Sequence, residues 1–199
     1  ANLIVDWHIN TINFTDSGKI SLKALTSIMS SANYVVSTQM VIDDETKKIK
    51  IDKRVLDRIH IFCQIEKGMP EAGGILAGRQ NISNSNLIIE HHTEPMYGDY
   101  QTRYRFTRKD LGHLSFFQEL YNNSNGTIGY VGEWHTHPED IPQYSMIDLR
   151  NWRKIYTKAE TNQVQYHLIA GRKAVVIWKY SGKHLCPVKI ACIYWEDFV

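Results

Sequence analysis

From about Ile49 onward the apolar positions switch between helical and strand periods. Val55, Leu56, Ile59, Phe62 and Cys63 recur at helical spacing, so a helix capped by Asp52 is expected to run through Lys67, where KGMP ends it. Short apolar runs predict strands at Gly73 to Gly78 and Asn86 to Thr93, separated by the polar turn RQNISNS. Arg108 to Asn123 carries a helical period, and NSNG closes it with glycine at the C-terminal end. A strand at Thr127 to His137, a helix at Ser145 to Thr157 and three further strands follow, at Gln163 to Ala170, Ala174 to Tyr180 and Pro187 to Trp195. The expected fold class is α/β (α+β), a mixed β-sheet flanked by helices.

The first 47 residues break this rhythm. Ala1 to Phe14 reads as a strand, Ser21 to Ala32 as a short amphipathic helix and Asn33 to Ile42 as another strand, with DDETKK as a polar break. The expected organisation is an N-terminal extension or joined segment over 1–47 and one main domain over 48–199. At 199 residues the chain is too short for two full-sized domains.

Composition narrows the function classes. Hydrophobic residues make up 43% and charged residues 22%, which suits a chain that buries a core. A formal charge of +2, with Lys and Arg scattered outside the KKIKIDKR run, does not point to nucleic acid. No apolar run reaches membrane-spanning length, so no membrane partner is expected. Three cysteines, Cys63, Cys186 and Cys192, show no C-x-x-C spacing and read as small buried hydrophobes in a reducing, cytoplasmic setting.

The chemistry concentrates in GEWHTHPEDIPQYSMIDLRNW, Gly132 to Trp152. Along a strand, side chains alternate, so His135 and His137 share one face while Trp134 and Thr136 share the other. Pro138 cannot continue a central strand, which places the histidine pair at a strand end. Ser145 is the expected N-cap of the next helix, and Asp148 lies in its first turn, within reach of both imidazoles. Two imidazole nitrogens and one carboxylate oxygen, with a fourth position left for water, suit a catalytic zinc (Zn2+) site; a structural one takes four protein ligands. Such a site also needs a carboxylate from elsewhere in the chain as base. The plainer alternative is a half-exposed strand followed by a capped helix. With the His, Asp and Ser content of this chain, the histidine pair and aspartate at this spacing arise by chance about 0.02 times, and about 0.001 times with the serine.

HTHPEDIPQYSMID resembles the metalloprotease motif H-[ST]-H-P-x6-S-x2-D of the JAMM family, the catalytically competent MPN or JAB domains. EAGGILAGR supplies the upstream glutamate of that family at Glu71. The likeness in element order covers about Ile49 to Tyr194. It implies a JAB/MPN (cytidine-deaminase-like) sandwich in which His135, His137 and Asp148 bind zinc, Glu71 is general base and acid, and Ser145 donates its hydroxyl to the oxyanion. Glu133 and Glu66 are rival bases. The family hydrolyses isopeptide or peptide bonds after the C-terminal tail of a ubiquitin-like protein. The bacterial branch that GEWHTHP resembles further implies deconjugation in antiphage operons of the CBASS type, where the conjugated protein is a cGAS-like nucleotidyltransferase. Alternatives are a ubiquitin-like operon, sulfur-carrier processing, or a noncatalytic MPN-type binding module. An extended tail needs a groove. Candidates are Glu94 to Phe106, with Tyr97, Tyr100, Arg103 and Tyr104, and the loop from Glu139 to Tyr144. His91, His92, His113, His167 and His184 lack a ligand spacing and read as bystanders.

Overall fold

A computed structural model describes residues 40–44, 47–159, 163–182 and 186–198. The strand and short helix expected within the first 39 residues lie outside the described residues. The described chain opens with two antiparallel strands, β1 (Met40–Asp44) and β2 (Lys47–Ile51). Helix α1 (Lys53–Ile61) follows, then β3 (Gly73–Gln80), β4 (Leu87–His92) and a small hairpin of β5 (Tyr100–Thr102) and β6 (Arg105–Thr107). Next come α2 (Gly112–Asn123), β7 (Gly129–Thr136), α3 (Met146–Lys158), β8 (Gln165–Ala170), β9 (Ala174–Tyr180) and β10 (Val188–Tyr194).

Eight strands form one sheet in the order β1-β2-β4-β3-β7-β8-β9-β10. The pairs β2 with β4 and β7 with β8 are parallel, and the rest are antiparallel, so the sheet is mixed as expected. Helix α1 covers one face, where Val55, Leu56 and Ile59 pack among Ile49, Ile51, Ile89, Trp134 and Leu168. Helix α3 covers the other face, with Leu149 and Trp152 packed on Ile169, Val176 and Trp178. Because β8 is buried on both faces, its sequence shows no polar alternation. Gly132 lets β7 approach the carbonyl of Tyr166 on β8, a space that any Cβ would fill. Among the described residues no helix is long and apolar enough to cross a membrane.

Several boundaries differ from the expected ones. Helix α1 starts as predicted, with the Asp52 carboxylate accepting the Arg54 N–H at 2.9 Å, but ends at Ile61 rather than Lys67. There the chain turns inward to bury Gln64, whose amide donates to the carbonyls of Met69 and Arg103, both at 2.8 Å. Helix α2 starts at Gly112 rather than Arg108, because the N–H groups of Lys109 and Asp110 are both taken by the Asp99 carboxylate. The segment read as a loop from Glu94 to Phe106 contains most of the β5–β6 hairpin. Its strands are three residues long and its Arg103-Tyr104 turn has no Gly or Asn, so neither run length nor turn chemistry marks it. Of the cysteines only Cys63 is buried, where burial pushes its thiol up to about 12; Cys192 is half-buried and Cys186 exposed.

Candidate metal and catalytic site

Strand β7, the loop after it and the start of α3 form a β-α-β unit with β8, and the candidate site lies at the carboxyl end of β7. Trp134 points into the α1-side core, 1% exposed, and donates its indole N–H to the Thr93 carbonyl at 2.8 Å. His135 therefore points to the opposite face, and His137, just past the strand, keeps the line by donating its N–H to the Ala170 carbonyl at 3.0 Å. At the start of α3, Ser145 and Asp148 make a reciprocal capping box. The Ser145 N–H donates to Asp148 Oδ2 at 2.6 Å, and the Asp148 N–H donates to Ser145 Oγ at 3.2 Å. The cap turns the aspartate carboxylate back toward the histidines.

The three side chains meet. His135 Nε2 and His137 Nε2 are 3.1 Å apart, His135 Nε2 is 3.3 Å from Asp148 Oδ1, and His137 Nε2 is 3.5 Å from Asp148 Oδ2. Ligands about 2.0–2.1 Å from a zinc ion in a tetrahedron are spaced about 3.3 Å from one another, close to the 3.1 Å between the two imidazole nitrogens and the 3.3 Å from His135 Nε2 to Asp148 Oδ1, while His137 faces the other carboxylate oxygen. One donor atom from each of the three residues lies within 4.8 Å of the others, so the group is of a size to hold a metal ion. The donor set, two imidazoles and one carboxylate, fits zinc and leaves a fourth vertex for water or substrate.

Electrostatics match this arrangement. Burial works against a proton on His135, but Asp148, Glu71 and Glu133 outweigh it and raise its pKa. Burial and the neighbouring His135 push His137 down to about 4, so it presents a neutral nitrogen. Burial alone would raise Asp148, yet His135 and the Ser145 cap hold it well below the ordinary carboxylate range. Glu139 stands 3.9 Å from His137 Nδ1, beside the nitrogen that faces away from the cluster.

Glu71 closes the site from the other side. It is buried, 4.0 Å from His137 Nε2, and burial raises its pKa to about 7, with His135 opposing and Asp148 adding to the rise. A carboxyl poised there can take and return a proton near neutral pH. Its backbone N–H donates to the Thr102 carbonyl of β5 at 2.7 Å. Thr136, between the two histidines, grips the next residue twice: Ala72 N–H donates to Thr136 Oγ1 at 3.0 Å, and Thr136 N–H donates to the Ala72 carbonyl at 2.9 Å. Gly73 leaves room for the Phe106 ring beside it. Glu133 pairs with Arg108 at 2.9 Å, and Glu66 is exposed in the turn after α1.

The structure thus brings together Glu71, His135, His137, Ser145 and Asp148. The residues that hold Glu71 in place are less visible in sequence. Asp99, fully buried, accepts N–H groups from Met96, Lys109 and Asp110 and the Nε2 of His113 at 2.7 Å, while His113 Nδ1 meets Thr93 Oγ1 at 2.6 Å. This polar hub closes the loop that carries the hairpin. Among the expected bystanders, His113 and His167 are fully buried and structural, His91 and His92 lie on β4, and His184 lies outside the described residues. The HTH triplet carried a signal for Thr136; nothing in the local pattern distinguished Asp99 or His113.

A model of the family described as prokaryotic homologs of the JAB domain matches residues 53–181. Three similar relatives bear the name CD-NTase/cGAS isopeptidase. One from Pseudomonas aeruginosa (strain BWHPSA011 / Pa011) is 34% identical over 70% of this chain and 87% of its own. One from Escherichia coli (strain TW11681) is 36% identical over 69% and 85%, and one from Vibrio cholerae serotype O1 (strain ATCC 39315 / El Tor Inaba N16961) is 35% identical over 68% and 84%. Relatives that align over most of their length and are named isopeptidases make this chain a hydrolase of peptide-type bonds. With the family model matching more than half its length, the chain belongs to the prokaryotic homologues of the JAB domain.

Proposed function

We propose that the protein is a zinc-dependent isopeptidase that releases a cGAS-like nucleotidyltransferase (CD-NTase) from proteins to which its C-terminal tail has been conjugated, as part of antiviral defence. The observation that carries this reading is the convergence of His135, His137 and Asp148, one donor atom from each within 4.8 Å of the others, with a buried Glu71 of raised pKa facing them. The names of the relatives supply the substrate class.

His135, His137 and Asp148 would hold a zinc ion, which would supply Lewis-acid polarisation of the scissile carbonyl and lower the pKa of the attacking water. Glu71 takes one proton from that water as its oxygen bonds to the carbonyl carbon, and delivers the proton to the lysine-derived nitrogen as the C–N bond breaks. Ser145 Oγ accepts the Asp148 N–H, which leaves its own hydrogen free to donate to the oxyanion beside the positive end of α3. The β5–β6 hairpin stands next to Glu71, and the exposed Tyr100 and Tyr104, covered by Lys109 and Arg103 at 5.5 Å each, offer a surface along which an extended tail can lie.

The test is metal analysis of the purified protein joined to cleavage of two model conjugates. One carries a CD-NTase tail, the other a ubiquitin-like tail, each linked to a lysine side chain. One zinc per chain and selective release of the CD-NTase tail are expected. Cleavage that persists after zinc is stripped by a chelator overturns the metal reading, and preference for the ubiquitin-like tail overturns the substrate.

A further inference from the structure

Among the described residues, His167 is the one fully buried histidine packed against both elements that supply the three metal-directed side chains. It lies on β8, one residue before the ladder pair Trp134 with Leu168. Its Nδ1 accepts the backbone N–H of Glu133 on β7 at 3.2 Å, two residues before His135. With Nδ1 an acceptor, Nε2 carries the hydrogen and donates to Gln165 Oε1 at 3.3 Å, which fixes the tautomer and the ring plane. Burial and the nearby His135 push its pKa down to about 3, so the ring stays neutral.

The face of this ring lies flat on Trp152, with centroids 4.4 Å apart and planes 8° apart. Trp152 is 2% exposed and sits one helical turn beyond Asp148, on the same side of α3. One imidazole is therefore bonded through its edge to the strand that aims His135 and stacked through its face on the helix that aims Asp148. The helix that carries Asp148 thus rests, through Trp152, on the ring bonded to the strand that carries His135, and Asp148 Oδ1 stands 3.3 Å from His135 Nε2.

We infer that His167 is a positioning residue for metal binding, a fixed spacer that bonds β7 through Nδ1 and seats α3 through Trp152, setting the separation of His135 and Asp148. It touches neither the reacting atoms nor the ion. The inference rests on the reading of His135, His137 and Asp148 as metal ligands, so wild-type protein is titrated first, and failure of the wild type to bind zinc defeats that reading. If the wild type binds, the His167 variants decide the inference on their own.

The experiment measures zinc affinity of the metal-free full chain by competition with a chromophoric chelator, and the visible absorption of the cobalt-substituted protein, which reports ligand geometry. His167→Leu removes the acceptor and the ring together and is expected to weaken zinc binding by about 10- to 100-fold and change the cobalt spectrum, the range usual for residues that orient metal ligands. His167→Asn keeps an acceptor for the Glu133 N–H, and His167→Phe keeps a ring against Trp152; each is expected to recover part of the loss. For cleavage, kcat falls while KM for the tail stays within error. A folded His167→Leu protein with wild-type zinc affinity and an unchanged cobalt spectrum overturns the inference. Should that variant not fold, wild-type affinity and spectrum in both His167→Asn and His167→Phe overturn it equally.

Discussion

The two sides of the site are built by different means. On the proposed metal side, three candidate donors come from fourteen consecutive residues, His135 to Asp148, aimed by the two-residue alternation of β7 and the capping box of α3. On the proposed base side, Glu71 precedes β3 in an irregular segment and is fixed by groups distant in sequence, the Thr136 hydroxyl, the Thr102 carbonyl and a hairpin closed by Asp99 and His113. Regular backbone makes the first side rigid and local. The second depends on buried polar contacts, each of which leaves an unpaired group when its partner is removed.

This contrast orders the consequences of substitution. Replacing both His135 and His137 with Ala should remove zinc and lower cleavage by roughly 10³-fold or more, measured by metal analysis and turnover of a model conjugate. Asp99→Ala should act on the other side. It leaves three backbone N–H groups and His113 Nε2 without their acceptor, with an expected stability loss of about 3 kcal/mol by denaturant titration, and a fall in kcat with zinc content kept.

Asp99 also gives a dependence on pH. Burial by itself would raise its pKa, but the Asp110 N–H, the His113 ring and the Met96 and Lys109 N–H groups outweigh burial and lower it. A carboxyl depressed in the folded state contributes stability that is fully present above its unfolded pKa of about 3.9 and is lost as pH falls through the lower folded value. Acid unfolding of the native protein should therefore steepen below about pH 4, and Asp99→Asn should flatten that part of the curve. An unchanged slope would remove Asp99 as the anchor of the base side.

The smallest effect is expected where the two sides touch. Thr136→Val keeps the shape of the side chain but leaves the Ala72 N–H without its 3.0 Å acceptor, so Glu71 loses one of its guides. A drop in kcat of about tenfold with unchanged zinc binding is expected, and Thr136→Ser, which keeps the hydroxyl, should restore most of the rate. Equal rates in all three proteins would mean that Thr136 does not hold the base.

The same contrast explains what could be read in the sequence. Apart from the β5–β6 hairpin, the order of strands and helices from α1 on, the strand that carries His135, and the cap of α3 follow from periods and cap chemistry within short windows. HTH and S-x-x-D are legible for the same reason, because the metal side is contiguous. Glu71 entered only through its resemblance to a known motif, since no local pattern ties a glutamate before β3 to a strand 60 residues later. The β5–β6 hairpin stayed hidden because its strands are short and its turn lacks glycine. Helix α1 ended early because Gln64 is drawn inward by the Met69 and Arg103 carbonyls, a tertiary contact that overrides the helical period. The stack of Trp152 on His167 joins a helix to a strand, and each residue alone reads as ordinary core.

The proposed site divides its labour, with His135, His137 and Asp148 to hold the ion and Glu71 to move the proton. The most direct test is Glu71→Gln, which keeps the size of the side chain and removes the base, measured for zinc content and for kcat on the same preparation. One zinc per chain is expected, with kcat lower by about 10²- to 10⁴-fold. Cleavage at the native rate, or loss of the zinc together with the activity, would contradict that division.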